Sequence, residues 1–161
     1  MCFAANFFLS MEPKASWNNL LQTQRVKPHE TSAQELQDLR ALVERDLKDA
    51  IVPALSADRR FATAYNAVLQ LAKMVIACEG YRVTGPGHHQ TTFAALELAI
   101  GSSISPLAAY FDTCRRKGNQ VDYDFANVAT ETEADEVIQK ANEFQRLVED
   151  WIRKHHSRFR I

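Results

Sequence analysis

Apolar residues recur at steps of three and four along most of this chain, and that spacing restricts what the chain can fold into. The clearest case follows Ser32. Its apolar positions are Leu36, Leu39, Val43, Leu47, Ala50 and Ile51. This period places one face of an α-helix against a core, whereas a half-buried strand would need strict alternation. Since neither strand-like alternation nor an internal repeat is found, the sequence predicts an all-α protein.

The helical segments are separated by residues that cap or break helices. A short helix is expected within residues 15–24. Thr31 or Ser32 is the expected N-cap of the second helix, with Glu35 three residues after Ser32 as in a capping box, and Pro53 ends or kinks that helix. Ser56 begins the next helix, whose wide apolar stripe is typical of a central helix packed on two sides, and Gly80 fits its C-terminal cap.

Three further helices follow in the second half of the chain. One begins at the His88–His89 pair and ends before Gly101. The next is expected to use Ser105 as its N-cap, and the last begins at Thr130 or Thr132. The predicted architecture is therefore an antiparallel up-and-down bundle of four to five main helices.

The domain organisation expected from these segments is simple. Residues 1–30 are assigned to an N-terminal tail with a short helix, 31–157 to the helical bundle, and 158–161 to a basic C-terminal tail. The first ten residues are apolar but shorter than the apolar part of a signal peptide or a membrane span. We expect Met11 to be the natural start, with the first ten residues a gene-boundary artefact or a loose tail.

Charge and cysteine usage narrow the class of protein. The net charge is −1, so any attraction to nucleic acid or to a membrane must come from local clusters. The three cysteines are Cys2, Cys78 and Cys114, and they form no CxxC pair. This pattern argues against a zinc site and a disulfide framework and suits a reducing cytosol. We therefore expect a cytoplasmic protein with no metal, no cofactor and no membrane partner.

One stretch concentrates residues with potential phosphate chemistry. Arg115, Arg116 and Lys117 are consecutive and lead into Gly118. At about 100° per residue these cations fan around a helix, so they do not all face one ligand. One interpretation is that they are solvated residues favoured by the helix dipole. The other is that one or two arginines clamp a phosphate through paired hydrogen bonds.

The residues after the cations are expected to turn back toward them. Gly118 can adopt a left-handed conformation that ends the helix. A loop over residues 122–127 would follow, and the turn would bring Asn119 and Tyr123 near the arginines. Elsewhere, Tyr65 is expected to be a core residue.

The order of helices, together with two segments, resembles the HEPN superfamily of small all-α domains in prokaryotic toxin–antitoxin and defence systems. The segments read YFDTCRRKGNQVDYD and RFATAYNAVLQLAKMVI followed by GYR, and the resemblance covers most of residues 34–156. It implies a homodimer in which the motifs of two subunits face one cleft and act as a metal-independent ribonuclease. In one toxin subgroup with the pattern Arg-x4-His-x-Tyr, it implies a nucleotidyltransferase antitoxin as the partner.

Two registers place the family motif on this chain. In the first, Arg116 is the motif arginine, Val121 stands where the histidine should be, and Tyr123 takes the tyrosine place. In the second, Gly118 and Asn119 replace the Arg-Asn pair, and Tyr123 takes the histidine place. Either register lacks the base for the 2′-hydroxyl or the cation for the phosphorane charge. The resemblance implies Arg116, Asn119 and Tyr123 as catalytic residues.

The same resemblance, with the cationic run, gives Arg115, Arg116 and Lys117 as phosphate-binding residues. For the His88–His89 pair two readings stay open: polar residues of a first helical turn, or an imidazole that reaches the arginines and replaces the missing base. The first functional hypothesis is a HEPN-like protein that binds RNA or a nucleotide and is a weak or inactive ribonuclease. The second is a non-catalytic helical adaptor that docks a partner such as a nucleotidyltransferase.

Overall fold

The computed structural model describes residues 15–123 and 126–161, and it describes side chains outside residues 119–125. Helices make up most of this part of the chain. They are α1 Trp17–Gln22, α2 Ala33–Ala50, α3 Ala57–Cys78, α4 His88–Ile100, α5 Ser105–Tyr123 and α6 Glu131–His155. Two strands, β1 Val26–Pro28 and β2 Tyr81–Val83, and two 3-10 turns, Ser102–Ile104 and Ser157–Phe159, complete it. The mostly helical fold is confirmed, while its HEPN-like character stays a prediction.

Helix α3 is the centre of the structure. It contacts α2, α4, α5, α6 and β2, and it is buried on more than one side, from Phe61 through Cys78. The wide apolar stripe of its sequence predicted this position. Among the described helices, α3 is also the one long and apolar enough to cross a membrane, but 72% of its apolar window is buried inside this fold.

The starts of α2 and α6 agree with their local cap signals. Ser32 accepts a hydrogen bond from the Glu35 amide at 3.1 Å, and Thr130 forms a full capping box with Glu133. At Ser32 the box is incomplete, because the Glu35 carboxylate bonds to His29 and to the Thr31 hydroxyl instead. These bonds connect the first turn of α2 to His29, which directly follows β1.

A small two-stranded sheet accompanies the helices, although the sequence shows no strand-like alternation. β1 and β2 pair antiparallel, with Val26 opposite Val83 and Pro28 opposite Tyr81. Strands of three residues are too short to show alternation in the sequence, and their partners lie far apart along the chain. The ribbon holds α1 against the bundle through a second small core formed by Leu20, Val26, Ile76 and Ala95.

At the other end of the chain, Phe159 is buried in the main core, which α2 to α6 share. Both terminal segments therefore contribute packed residues: the α1–β1 segment lies against α3 and α4, and the last 3-10 turn contacts α2 and α6.

The predicted end of the fourth helix at Gly118 is wrong. Helix α5 runs through Gly118 to Tyr123, so the loop expected from residue 122 begins later. Gly118 is buried, and a Cβ atom there would lie 3.3 Å from Cδ1 of Tyr65. The glycine therefore permits a close approach of α5 to α3 and is not a helix cap.

The start of α5 differs from its prediction as well. Ser105 already has helical backbone angles, with φ −53° and ψ −44°, so it is not the N-cap. The chain enters α5 through the 3-10 turn that follows Gly101, whose φ of +104° suits a residue without a side chain. The Ser-Pro pair correctly predicts that a helix begins here, but it does not predict the 3-10 turn that precedes the helix.

Candidate functional site

The cationic run at the end of α5 is engaged mostly within the chain. Arg115 is half-buried, and its Nε donates to Oδ1 of Asp112 at 3.0 Å. Lys117 donates to the Glu133 carboxylate, which also belongs to the capping box of α6. Arg116 is exposed. Asn119 and Tyr123 belong to α5, but their side chains lie outside the described residues.

The Lys117–Glu133 pair is a structural contact. Hydrogen bonds from Lys117 and from the Thr130 amide lower the pKa of the Glu133 carboxyl. The pair therefore joins α5 to the first turn of α6, where a carboxylate is also favoured by the helix dipole. Of the three consecutive cations, two are paired with acids of this chain and point in different directions, as the helical fan predicts.

A different set of polar residues converges on a cavity of about 510 Å³ between α2, α3, α4 and β2. We call it the α3 cleft. The polar side chains that matter most for its chemistry are Asn66, Gln70, Lys73, Arg82, His88 and His89. They come from three elements, and α3 presents Asn66, Gln70 and Lys73 at steps of three and four, on one face of the helix.

Cations without acidic partners give the α3 cleft its electrostatic character. Lys73 and Arg82 are exposed, and neither forms an ion pair with a described residue. The acid at this cleft is Glu35, which bonds to His29 at 2.8 Å and to Thr31 at 2.7 Å. Burial opposes its ionisation, but those hydrogen bonds, together with the charges of His29 and Arg82, lower the pKa of the Glu35 carboxyl.

The histidine pair lies where α4 begins. Gly87, with φ +69°, precedes it, and the His88 carbonyl accepts a hydrogen bond from the Thr92 hydroxyl at 2.7 Å. Burial lowers the pKa of His89, and the charges of His88, Arg115 and Lys73 lower it further. His89 is therefore a neutral imidazole near pH 7, able to accept a proton. The structure thus brings one histidine into the electrostatic range of Arg115.

A buried carboxylate lies behind one wall of the α3 cleft. Asp46 of α2 is 4% exposed, and Arg45 binds its Oδ1 through Nε at 2.9 Å and through a terminal nitrogen at 2.7 Å. Asn66 donates through Nδ2 to Oδ2 of Asp46 at 2.5 Å. Gln70 in turn donates through Nε2 to Oδ1 of Asn66 at 3.4 Å. The two amides of the cleft are thereby linked to one buried charge.

An aromatic pair supports another wall. Tyr81 of β2 lines the α3 cleft and stacks on Trp17 of α1, with ring centroids 4.5 Å apart and planes inclined by 12°. The stack explains why the short α1 segment matters for the site, because it holds β2 and with it Tyr81 and Arg82. Tyr81 therefore contributes an aromatic side chain, supported by Trp17, to the lining of the cleft.

Tyr65 carries an unsatisfied polar atom in the core. Its side chain is 6% exposed, as its core assignment from the sequence requires, but its hydroxyl has no hydrogen-bond partner among the described residues. Burial raises the pKa of this hydroxyl, so it stays protonated. The ring lies edge-on to His89 with centroids 6.1 Å apart. Tyr65 therefore separates the α3 cleft from the cationic end of α5.

The sequence contained weak signals for the cleft. The Gly85-Pro86-Gly87 turn directly before the histidine pair marked a place where polar residues begin a helix, and Arg82 followed the glycine at the end of α3. What the sequence does not show is the packing of α4 and β2 on α3, which places these residues around one cavity. Among the described residues, no group of three or more His, Cys, Asp or Glu side chains is arranged to hold a metal ion.

Comparison of this chain with protein-family models, with curated proteins and with solved structures gave no match. The resemblance to HEPN domains therefore stays a prediction from the sequence, and function is argued from the geometry of the site.

Proposed function

We propose that this chain binds RNA or a nucleotide and holds a phosphate group of that ligand in the α3 cleft. One observation carries the proposal: Lys73 of α3 and Arg82 of β2 line one cavity, and neither is paired with an acid of the described chain. Because the net charge of the chain is −1, this convergence is a local feature and not a consequence of a basic composition.

The chemistry of these side chains suits a phosphate. Lys73 supplies a compact charge with three donors, and Arg82 supplies a planar guanidinium that can bind two phosphate oxygens at once. His88 and His89 add ring nitrogens that donate or accept according to pH. The single acid at this cleft, Glu35, already accepts hydrogen bonds from His29 and Thr31, so its oxygens are partly occupied.

The size and walls of the cleft suit a nucleotide unit. A cavity of about 510 Å³ falls in the usual range for small-molecule sites. Tyr81 offers a π-face, and stacking of a base on an aromatic ring contributes about 1–3 kcal/mol per base in single-stranded nucleic-acid binding. A phosphate site beside an aromatic wall favours a nucleotide or an RNA segment over inorganic phosphate.

The proposal includes the ribonuclease implied by the resemblance, as a weak or inactive one in a dimeric, cytoplasmic HEPN-like protein of a toxin–antitoxin or defence module. Val121 occupies the histidine place of one motif register, so a base must come from elsewhere. The lowered pKa of His89 and its position near Arg115 support His89 as that base. A neutral imidazole can take the 2′-hydroxyl proton while an arginine stabilises the phosphorane.

The binding proposal is tested by calorimetric titration of adenosine 5′-monophosphate and of a short single-stranded RNA. Lys73→Ala and Arg82→Ala should each weaken binding about tenfold or more, because each removes a charge-assisted hydrogen bond. Arg116→Ala is the matched control and should change affinity less than about twofold. Absence of binding by the wild type, or an equal loss in Arg116→Ala, would refute the cleft as the site.

Cleavage needs a separate assay. Purified wild type, His89→Gln, Arg116→Ala and Tyr123→Phe are incubated with RNA in the presence of a chelator. If the wild type cleaves, His89→Gln should abolish cleavage. If the wild type does not cleave, the ribonuclease is an inactive one, His89 is not a catalytic base, and the binding part of the proposal stands on the titrations.

A specific observation favours the adaptor as the second candidate. Arg115 bonds to Asp112 and Lys117 to Glu133, so two of the cations proposed for phosphate are occupied by intrachain contacts. On this alternative the chain docks a nucleotidyltransferase and needs no ligand in the α3 cleft. A stable complex with a nucleotidyltransferase encoded beside it, together with no binding of nucleotide or RNA, would replace the first proposal by this one.

A further inference from the structure

We propose that Gln70 selects ligands whose base carries the 6-amino group of adenine or the 4-amino group of cytosine, and that buried Asp46 sets this preference by fixing the Gln70 amide through Asn66. The inference rests on the proposed function, because it assumes that a nucleotide or RNA occupies the α3 cleft. It goes further by naming the chemical class of the base, adenine or cytosine, over the oxo analogues hypoxanthine and uracil.

The first step is the orientation of Asn66. The carboxylate of Asp46 is 4% exposed and bound by Arg45 through two nitrogens, which keeps the charged form satisfied. An ionised carboxylate only accepts hydrogen bonds. The Asn66 atom 2.5 Å from Oδ2 of Asp46 is therefore the donor nitrogen, and the Asn66 oxygen points away from the acid.

The second step is the orientation of the Gln70 amide, which follows from that of Asn66. The Asn66 oxygen lies 3.4 Å from the Gln70 side chain, which offers its nitrogen as donor. The reverse orientation of Gln70 would set two amide oxygens against each other. The Gln70 oxygen accepts no hydrogen bond from a described residue and is not among the enclosed unsatisfied atoms. Because Gln70 lines the α3 cleft, we infer that this oxygen faces the cleft.

The third step is the match with a ligand. An acceptor fixed at the wall of a partly dry cavity stabilises a donor and opposes another acceptor, because an unpaired or repelled polar group there loses its hydration. Adenine and cytosine present an amino group at the position where hypoxanthine and uracil present a carbonyl oxygen. Within each pair the ribose and the phosphate are the same, and the bases differ at this substituent and at the adjacent ring nitrogen, which carries a hydrogen only in hypoxanthine and uracil.

The experiment compares two matched pairs of ligands by calorimetric titration: adenosine with inosine 5′-monophosphate, and cytidine with uridine 5′-monophosphate. The wild type should bind the amino member of each pair at least about tenfold more tightly. Asp46→Asn lets both amides reverse, and Gln70→Met removes the acceptor at similar volume. Both variants should bring the ratio within each pair close to one, which a purely structural role of Asp46 would not do.

Lys73→Ala is the control, because it should weaken all four ligands while the ratio within each pair is kept. Equal affinities of the wild type within both pairs, or a preference for the oxo members, would overturn the inference and leave the proposed function intact. Failure of all four nucleotides to bind would overturn both. If thermal melting shows that Asp46→Asn is not folded, Gln70→Met decides: an unchanged ratio in that variant overturns the inference.

Discussion

The cationic end of α5 and the α3 cleft contain similar side chains and differ in how the fold uses them. Arg115, Arg116 and Lys117 are neighbours in sequence, but α5 turns them in different directions, and two of them contact acids of the same chain. Lys73 and Arg82 are nine residues apart and belong to different elements, yet they line one cavity. Convergence in space, and not adjacency in sequence, identifies the better phosphate site.

Two things cause this difference: the geometry of the helix, and the presence or absence of acidic side chains next to the cations. Consecutive helical residues are about 100° apart, so a run of cations spreads around the helix. The neighbouring Asp112 and Glu133 then form ion pairs with Arg115 and Lys117, so these two charges are not available to a ligand. In the α3 cleft, by contrast, Glu35 is held by His29 and Thr31, and its cations remain available. The comparison predicts that changes at the α5 end affect stability, whereas changes in the cleft affect binding.

The largest effect on stability is expected at Gly118. A Cβ atom at this position already lies 3.3 Å from the Tyr65 ring, so the branched side chain in Gly118→Val should force α5 away from α3. Overpacking of this kind typically costs about 1–3 kcal/mol of unfolding free energy. Urea denaturation measures it, with Thr113→Val on the exposed side of α5 as the control. Unchanged stability would contradict the close contact of α5 with α3.

A pH effect is expected from His89 in the cleft. Its pKa in the folded protein is lowered below the unfolded value, so the unfolded chain takes up the proton first as the pH falls. The stability associated with the neutral ring is therefore present above about pH 6.5 and is lost progressively below it. Between pH 7 and pH 5 the wild type should lose more unfolding free energy than His89→Gln. Parallel losses in the two proteins would contradict the half-buried, cationic setting of this ring.

Removing the Tyr65 hydroxyl is expected to leave stability unchanged or to increase it, in contrast to the losses predicted above. The hydroxyl is buried without a partner among the described residues, which is unfavourable for the folded state. Tyr65→Phe should therefore leave the unfolding free energy unchanged or raise it by about 1 kcal/mol. Thermal and urea denaturation are the measurements. A clear loss of stability would mean that the hydroxyl has a partner, and the wall between the regions would need reinterpretation.

The smallest effect is expected at Lys117. Its pair with Glu133 is partly exposed, so Lys117→Ala should lower the unfolding free energy by about 0.5 kcal/mol and leave nucleotide affinity unchanged. Arg116→Ala, with an exposed side chain, should change neither quantity measurably. A loss of nucleotide binding in either variant would contradict the division of roles between the two regions.

Local signals explain which parts of the fold the sequence predicts. Ser32, Ser56 and Thr130 each cap the helix that the sequence assigns to them, because a cap depends on residues within one turn. The role of Gly118 is not predicted, because it depends on a contact with a residue that is distant in sequence. A glycine that ends a helix and a glycine that admits a neighbouring ring look alike in sequence, and the ring belongs to Tyr65, far away along the chain.

The candidate site illustrates the same limit more strongly. The sequence predicts the histidine pair at the start of α4, but its place beside Lys73 and Arg82 in one cavity depends on the packing of α4 and β2 on α3. That packing joins separate elements, and no period in the sequence shows it. The Asp46–Asn66–Gln70 connection is likewise formed by two helices and is visible only once α2 packs on α3.

The most direct test of the account is a nuclear magnetic resonance titration of the isotope-labelled chain with adenosine 5′-monophosphate. We predict that the largest saturable shifts fall on the α3 cleft, at Gln70, Lys73, Tyr81, Arg82 and His89. The signals of Arg115, Arg116 and Lys117 should move little. Saturable shifts concentrated at Arg115 to Lys117, with the cleft unchanged, would contradict the central claim that the convergent cleft and not the cationic run binds the ligand.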